Sequence, residues 1–293
     1  MQRLDDRIAA PEAASLRLRV LEGGLGAEVL GLPVADVDAA NFPAIHAAFL
    51  KHQLLLFRDQ ELPPAAQVAF ARRFGEVQVH VMSQYHASAY PELYTLSNLD
   101  ASGKPRGEHP DRGTMAWHTD GSWQRVTGQA TMLYAEIVPA TSGGTGFADM
   151  YSAYEALSPE EQAKLAGLRA VHNLDFSRNR RHGEQPMTEA QREAVPPVDH
   201  PIVRTHPETG RKCLFLGDHA ETIVGMDYDA GRDFIEALNA RIIASARIYT
   251  HRWRKGDLMV WDNRCLMHKA ESYDTAREAR VIRRCTVLGE VPR

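Results

Sequence analysis

Short apolar or alternating segments, separated by turn residues, recur along this chain, and that recurrence limits its fold more than any other feature. Leu16-Arg-Leu-Arg-Val20 alternates and is followed by Gly23, Gly24 and Gly26, and Leu54-Leu-Leu-Phe57 is a brief apolar run. Residues 77–81 alternate again, with Val77, Val79 and Val81 on one face and Gln78 and His80 on the other. Residues 93–96, 130–137, 248–253, 257–261 and Val281–Leu288 read as further strands, and 203–216 as a hairpin interrupted by His206-Pro-Glu-Thr-Gly210. Helical spacing is rarer. Phe42, Ile45 and Phe49 mark one helix, Pro64–Phe74 a second, and Phe234, Leu238 and Ile242 another, while Ser158-Pro-Glu-Glu161 has the form of a capping box. Many short strands with a few helices outside them predict an all-β core with flanking helices.

The bulk properties exclude several classes. A net charge of -4 and a pI near 6.4 give no electrostatic case for nucleic acid, although a local arginine cluster could still hold a small anion. No run approaches the roughly 18 apolar residues that span a bilayer. Residues 1–14 carry charge without an apolar stretch, which predicts a frayed tail and not a signal peptide. With no repeat and no linker, residues 15–293 read as a single domain. Cys213, Cys265 and Cys285 lack CxxC spacing and cannot all pair, so a reduced, cytoplasmic setting is the simpler expectation. The arginine-rich stretch 176–200 reads either as a solvated surface excursion or as an active-site lid.

One segment carries the chemistry. In Trp117-His-Thr-Asp120, an extended backbone would aim His118 and Asp120 the same way and turn Trp117 and Thr119 aside. His-x-Asp recurs by chance, but a distant histidine would complete a two-His-one-carboxylate triad for non-haem Fe(II). His268 is the candidate, after the strand and turn of Trp261-Asp-Asn-Arg264; alone it reads equally as an ordinary core or surface histidine. Arg280 and Arg284 follow, on one face of the last strand. Buried there, each would need an anionic partner, whereas the same pattern also suits two arginines on a solvent-facing strand.

From Phe70-Ala-Arg-Arg-Phe-Gly75 through Trp117-His-Thr-Asp120, Gly143-Gly-Thr145, Val203-Arg-Thr-His-Pro207, Trp261-Asp-Asn-Arg264 and His268 to Arg280 and Arg284, nearly the whole chain resembles a known family. It is that of the Fe(II)/2-oxoglutarate-dependent dioxygenases of the taurine and 2,4-dichlorophenoxyacetate group. Glu189-Ala-Gln-Arg-Glu-Ala-Val-Pro-Pro197 and Gly210-Arg-Lys-Cys-Leu-Phe-Leu-Gly217 are most similar to the phenoxyacetate branch. The resemblance implies a double-stranded β-helix, or jelly roll. It implies Fe(II) on His118, Asp120 and His268, with 2-oxoglutarate held by Arg280 and Thr145 and O2 as the other cosubstrate. Arg284 would meet the anionic head of a small substrate. Asp120 is retained where related halogenases have a small residue, so the implied reaction is hydroxylation beside a heteroatom, releasing succinate and CO2.

The substrate implied is an aryloxyalkanoate or related aromatic carboxylate. His80 stands where the taurine enzyme has a sulfonate-contacting histidine, but Ser83 replaces a tyrosine there; an alkanesulfonate substrate is the alternative, and His80 also suits an ordinary strand histidine. A non-catalytic anion- or metal-binding protein and a structural zinc site are more remote readings. Trp123, His200 and His219 are candidate pocket residues without a spacing argument. A homodimer or homotetramer follows from the resemblance alone.

Overall fold

The structure is a computed structural model that describes residues 16–87, 89–183 and 186–293. The expected tail at residues 1–14 lies outside the described residues. The largest sheet has eight strands in the order Leu18–Val20, Ala27–Val29, Leu54–Phe57, Leu258–Asp262, Gly128–Ile137, Val281–Leu288, Tyr90–Ser97 and His86–Ala87. Only the pairing of Ala27–Val29 with Leu54–Phe57 is parallel within it. Three smaller sheets accompany it. One orders Ile248–His251, Thr145–Asp149 and Leu266–Ala270; another orders Ala220–Ile223, Arg169–His172 and Val198–Pro201; the hairpin Val203–Thr205 with Lys212–Leu214 is the third.

The central strands are apolar on both faces because each face meets a different core. In Leu54–Phe57, Leu54 and Leu56 enter a cluster with Phe147, Trp261 and Met267, while Leu55 and Phe57 enter a second with Ile45, Phe49, Val68 and Phe70. Leu258–Asp262 repeats the division: Met259 and Trp261 face the first cluster, Leu258 and Val260 the second. Helices Phe42–His52 and Pro64–Phe74 supply that second cover. Burying each large apolar side chain contributes roughly 1.5–3 kcal/mol, so the double-sided pattern places these strands at the centre of the molecule.

The capping box at Ser158 forms as expected: its hydroxyl accepts from Glu161 N–H and the Glu161 carboxylate accepts from Ser158 N–H. Two expectations need correction. Residues 77–81 are not a strand; Val77 makes one bridge to Val287 and the chain then leaves the sheet. The reason is competition for an edge, since Tyr90–Ser97 already pairs with residues 281–284 of the last strand and leaves only its end open. The stretch 176–200 is not a plain excursion either. It contains a π-type turn at Phe176–Arg181, a helix at Glu189–Ala194 and the strand Val198–Pro201, with Ser177, Arg178 and His200 buried. Among the described residues, no helix is long and apolar enough to cross a membrane.

Candidate metal and cosubstrate site

The two distant histidines meet through backbone hydrogen bonds. His118 N–H donates to His268 C=O at 3.0 Å and His268 N–H donates to His118 C=O at 2.9 Å, an isolated antiparallel bridge. Directly opposed residues put their side chains on one side, and the imidazole centroids lie 4.2 Å apart. Two residues on from His118, Asp120 points the same way: His118 Nε2 is 3.7 Å from Oδ1 and His268 Nε2 is 3.6 Å from Oδ2. One ligand atom from each residue lies within 4.8 Å of the other two. Trp117 and Thr119 turn away, Trp117 beneath the Lys269 ammonium and Thr119 donating to Leu266 C=O at 3.4 Å. Gly217 crosses close beneath, at φ +111; a Cβ there would stand 3.1 Å from His118 Cα and from Trp117 O, so only glycine admits the approach.

The donors are prepared for a cation. His118 Nδ1 hydrogen-bonds Ala116 C=O at 2.8 Å, which puts the proton on Nδ1 and leaves the Nε2 lone pair free to ligate. Burial, reinforced by His118 and opposed by Asp120, holds His268 well below the ordinary histidine range and therefore neutral. Burial alone would raise Asp120, but Arg284 first, then His268, His118 and the Thr131 hydroxyl, hold it well below the usual carboxylate range. Thr131 donates to Asp120 Oδ2 at 2.8 Å and accepts from Asn263 Nδ2 at 2.9 Å; Asn263 in turn accepts from the Trp261 indole at 3.0 Å. Two imidazoles and one ionised carboxylate, oriented from behind, suit a divalent metal that keeps open positions.

Beside this cluster lies a small cavity lined by Thr145, Trp261, His268, Arg280 and Arg284. Arg280 is 2% exposed, and no carboxylate pairs with its guanidinium among the described residues. Burial lowers it to about 10, offset only by Tyr273. Thr145 accepts the Trp253 indole N–H at 2.9 Å, which leaves its own O–H free to donate. An unbalanced buried cation beside a free hydroxyl fits one carboxylate of a dicarboxylic acid.

A family model described as taurine catabolism dioxygenase TauD, TfdA matches residues 17–286. The chain belongs to that family. It is 37% identical over 264 residues to a protein of Delftia acidovorans named (S)-phenoxypropionate/alpha-ketoglutarate-dioxygenase, covering 85% of this chain and 87% of the relative. It is 39% identical over 247 residues to the alpha-ketoglutarate-dependent 2,4-dichlorophenoxyacetate dioxygenase of Cupriavidus pinatubonensis, covering 81% and 85%. The crystal structure of AAD-2 in complex with Mn(II) and N-oxalylglycine superposes with a TM-score of 0.77 at 30% identity, covering 94% of this chain and 98% of that one. As a TauD, TfdA-family protein the chain is a dioxygenase dependent on Fe(II), 2-oxoglutarate and O2.

A second cavity, which His118 and Asp120 also line, is bounded by His80, Asp111, Trp123, Arg178, His219 and Arg284 among others. Arg284 is already engaged within the chain: its Nη1 donates to Asp120 Oδ1 at 3.1 Å and its guanidinium lies 4.3 Å from the Tyr94 ring centroid. It lines both cavities. His80 stands edge-on to Trp123 and Tyr94, at 5.3 and 4.9 Å. Its Nδ1 accepts Met82 N–H at 3.1 Å, and burial, then Arg284, keeps it well below the ordinary range, so Nε2 carries the proton. Trp123 and His219 reach this cavity, whereas His200 does not; it packs beside His172 and Phe215 and bonds Gln124 C=O at 2.9 Å. Arg178 and Thr131 carry no local motif, and Asn263 lies in Trp261-Asp-Asn-Arg264 without any sign there that it supports Thr131. The arginine-rich stretch was the only sequence signal for Arg178.

A second cluster, His206, Asp262 and Cys265, also has ligand-like spacing. It is already neutralised. Arg264 Nε and Nη2 hold the two Asp262 oxygens at 2.8 and 2.7 Å, and His206 adds a contact at 3.0 Å.

Proposed function

We propose that this dioxygenase hydroxylates the carbon next to the ether oxygen of an aryloxyalkanoate or related aromatic carboxylate, releasing succinate and CO2. The observation that carries the reading is the convergent His118, Asp120 and His268 donor set beside a buried Arg280 without a carboxylate partner among the described residues. In this reading the three donors hold Fe(II), while Arg280 and Thr145 hold the distal carboxylate of 2-oxoglutarate. The bound metal and cosubstrate supply the oxidant from O2. Arg284 steadies Asp120 with one nitrogen and turns its remaining donors toward the substrate's anionic group. His80 offers a neutral Nε2–H to the same ligand. Trp123 and Tyr94 exclude water and pack an aromatic ring. Hydroxylation at the ether carbon gives a hemiacetal that divides into a phenol and an oxo-acid. The similarity to the phenoxypropionate and dichlorophenoxyacetate enzymes supports this substrate class.

The eight-stranded sheet and the sheet of Ile248–His251, Thr145–Asp149 and Leu266–Ala270 would be the two halves of a double-stranded β-helix, with residues 15–293 as one catalytic domain. Support comes from the first and last strands sharing one sheet. Residues 176–200 would act as the lid, since Arg178 lines the second cavity. Three buried free thiols support a reducing, cytoplasmic setting. A homodimer or homotetramer follows from the resemblance and is checked by light scattering.

His80 favours a second reading, an alkanesulfonate such as taurine, because it lines the same cavity. Incubation with Fe(II), 2-oxoglutarate and O2 separates the two. Phenoxyacetates and 2-phenoxypropionates should release phenol and succinate in equal amounts, whereas sulfite from taurine would favour the second. His118→Ala and Asp120→Ala should lose turnover through loss of iron. Succinate formed with neither phenol nor sulfite would remove both readings.

A further inference from the structure

Among the described residues, Arg178 alone lines both the cavity bounded by His118 and Asp120 and the open groove beside it. We propose that Arg178 is a second receptor for the substrate's carboxylate, gripping it at the neck of the cavity from the side opposite Arg284. The proposal rests on the substrate class given above. Three observations carry it.

The first is placement. Arg178 is 6% exposed on the turn Phe176–Arg181, and its charge already acts on His80 and Tyr94 across the cavity. The second is fixation. Asp218, 4% exposed, accepts the Ser177 hydroxyl, meets Arg181 Nε at 2.9 Å and His182 Nε2 at 2.8 Å, and so ties down the turn on either side of Arg178. Asp218 N–H donates to Trp117 C=O at 2.9 Å, which anchors the same clasp to the residue before His118. Phe176 is held under the Arg232 guanidinium at 4.8 Å. The backbone of the turn that carries Arg178 is thus set relative to His118 before any substrate arrives, which lowers the cost of ordering the segment. The third is the need. Arg284 already gives one nitrogen to Asp120, so its charge is shared between that carboxylate and any substrate carboxylate, and a second cation would balance the added negative charge. Arg106 and Arg112 in the open groove add positive potential beside the cavity.

The test measures binding without turnover, by calorimetry on the full-length protein loaded with Mn(II) and N-oxalylglycine. The probes are 2-phenoxypropionate and its uncharged amide, and the proteins are wild type, Arg178→Lys, Arg178→Gln and Arg178→Met. Loss of a charge-assisted contact should weaken the carboxylate by about tenfold to a hundredfold in Arg178→Met and leave the amide unchanged, with Arg178→Lys in between. If Arg178→Met does not fold, Arg178→Gln carries the same comparison. N-oxalylglycine affinity should match wild type in each folded variant. Equal weakening of acid and amide would mean a merely structural residue, and unchanged affinity for the acid would mean no contact; either overturns the proposal. If wild type binds neither probe while N-oxalylglycine binds normally, the substrate class itself is wrong and the assignment falls with it.

Discussion

Thr131→Val tests whether the orientation of Asp120 is built from behind. The substitution keeps the side-chain shape and removes one hydroxyl from a buried relay that runs from the Trp261 indole through Asn263 and Thr131 to Asp120. Losing the donor to an ionised carboxylate costs about 1.5–3 kcal/mol, and the stranded Asn263 N–H adds about 1–3 kcal/mol of unsatisfied polarity. A loss of about 2.5–6 kcal/mol in unfolding free energy is therefore expected from chemical denaturation of the metal-free protein. Asp120 would retain Arg284 but lose the constraint on Oδ2, and Mn(II) affinity, read by titration, should fall by about tenfold to a hundredfold. The two readouts separate the roles. A drop in stability with wild-type metal affinity would show that Thr131 packs the core without aiming the ligand, and the reasoning would be refuted.

Arg280→Met should weaken 2-oxoglutarate by about thirtyfold or more, as removal of one member of a buried charge pair does, yet raise the melting temperature of the ligand-free protein by deleting an unbalanced cation. A fall in both would show that Arg280 has a structural partner. Asp262→Asn should cost about 1.5–3 kcal/mol, because Arg264 loses the paired Asp262 carboxylate and keeps only Glu208 at 2.6 Å, seen as a lower denaturation midpoint at constant slope; an unchanged midpoint would exclude the buried network as a stabiliser. His172 is fully buried, with neither ring nitrogen hydrogen-bonded, and burial, then His200 and His219, hold it well below the ordinary value. A depressed histidine contributes stability that is complete above its unfolded value near 6.5 and is lost as the pH falls below it. His172→Phe should remove one proton from that dependence, flattening stability against pH below the unfolded value by up to about 1.4 kcal/mol per unit. Coincident slopes for variant and wild type would contradict the assignment.

Period and punctuation in the sequence determined the local elements: the Pro64–Phe74 helix, the Leu54–Phe57 and Val281–Leu288 strands and the Ser158 capping box are all readable from a few neighbouring residues. The shared face of His118 and Asp120 and of Arg280 and Arg284 was legible for the same reason, because side-chain direction alternates along an extended backbone. Pairing between distant segments was not. Residues 77–81 alternate as a strand does, yet an edge already occupied by Tyr90–Ser97 denies them partners. Nor does any local pattern announce that Arg284 holds Asp120, that Thr131 and Asn263 stand behind it, or that Asp218 fastens the turn carrying Arg178. Each of these contacts joins residues far apart in the chain through a hydrogen bond only a few ångströms long. The sequence sets which groups can ionise and which way they point from their own strand; only the closed tertiary structure decides which charges face each other and which, like Arg280, are left for a ligand.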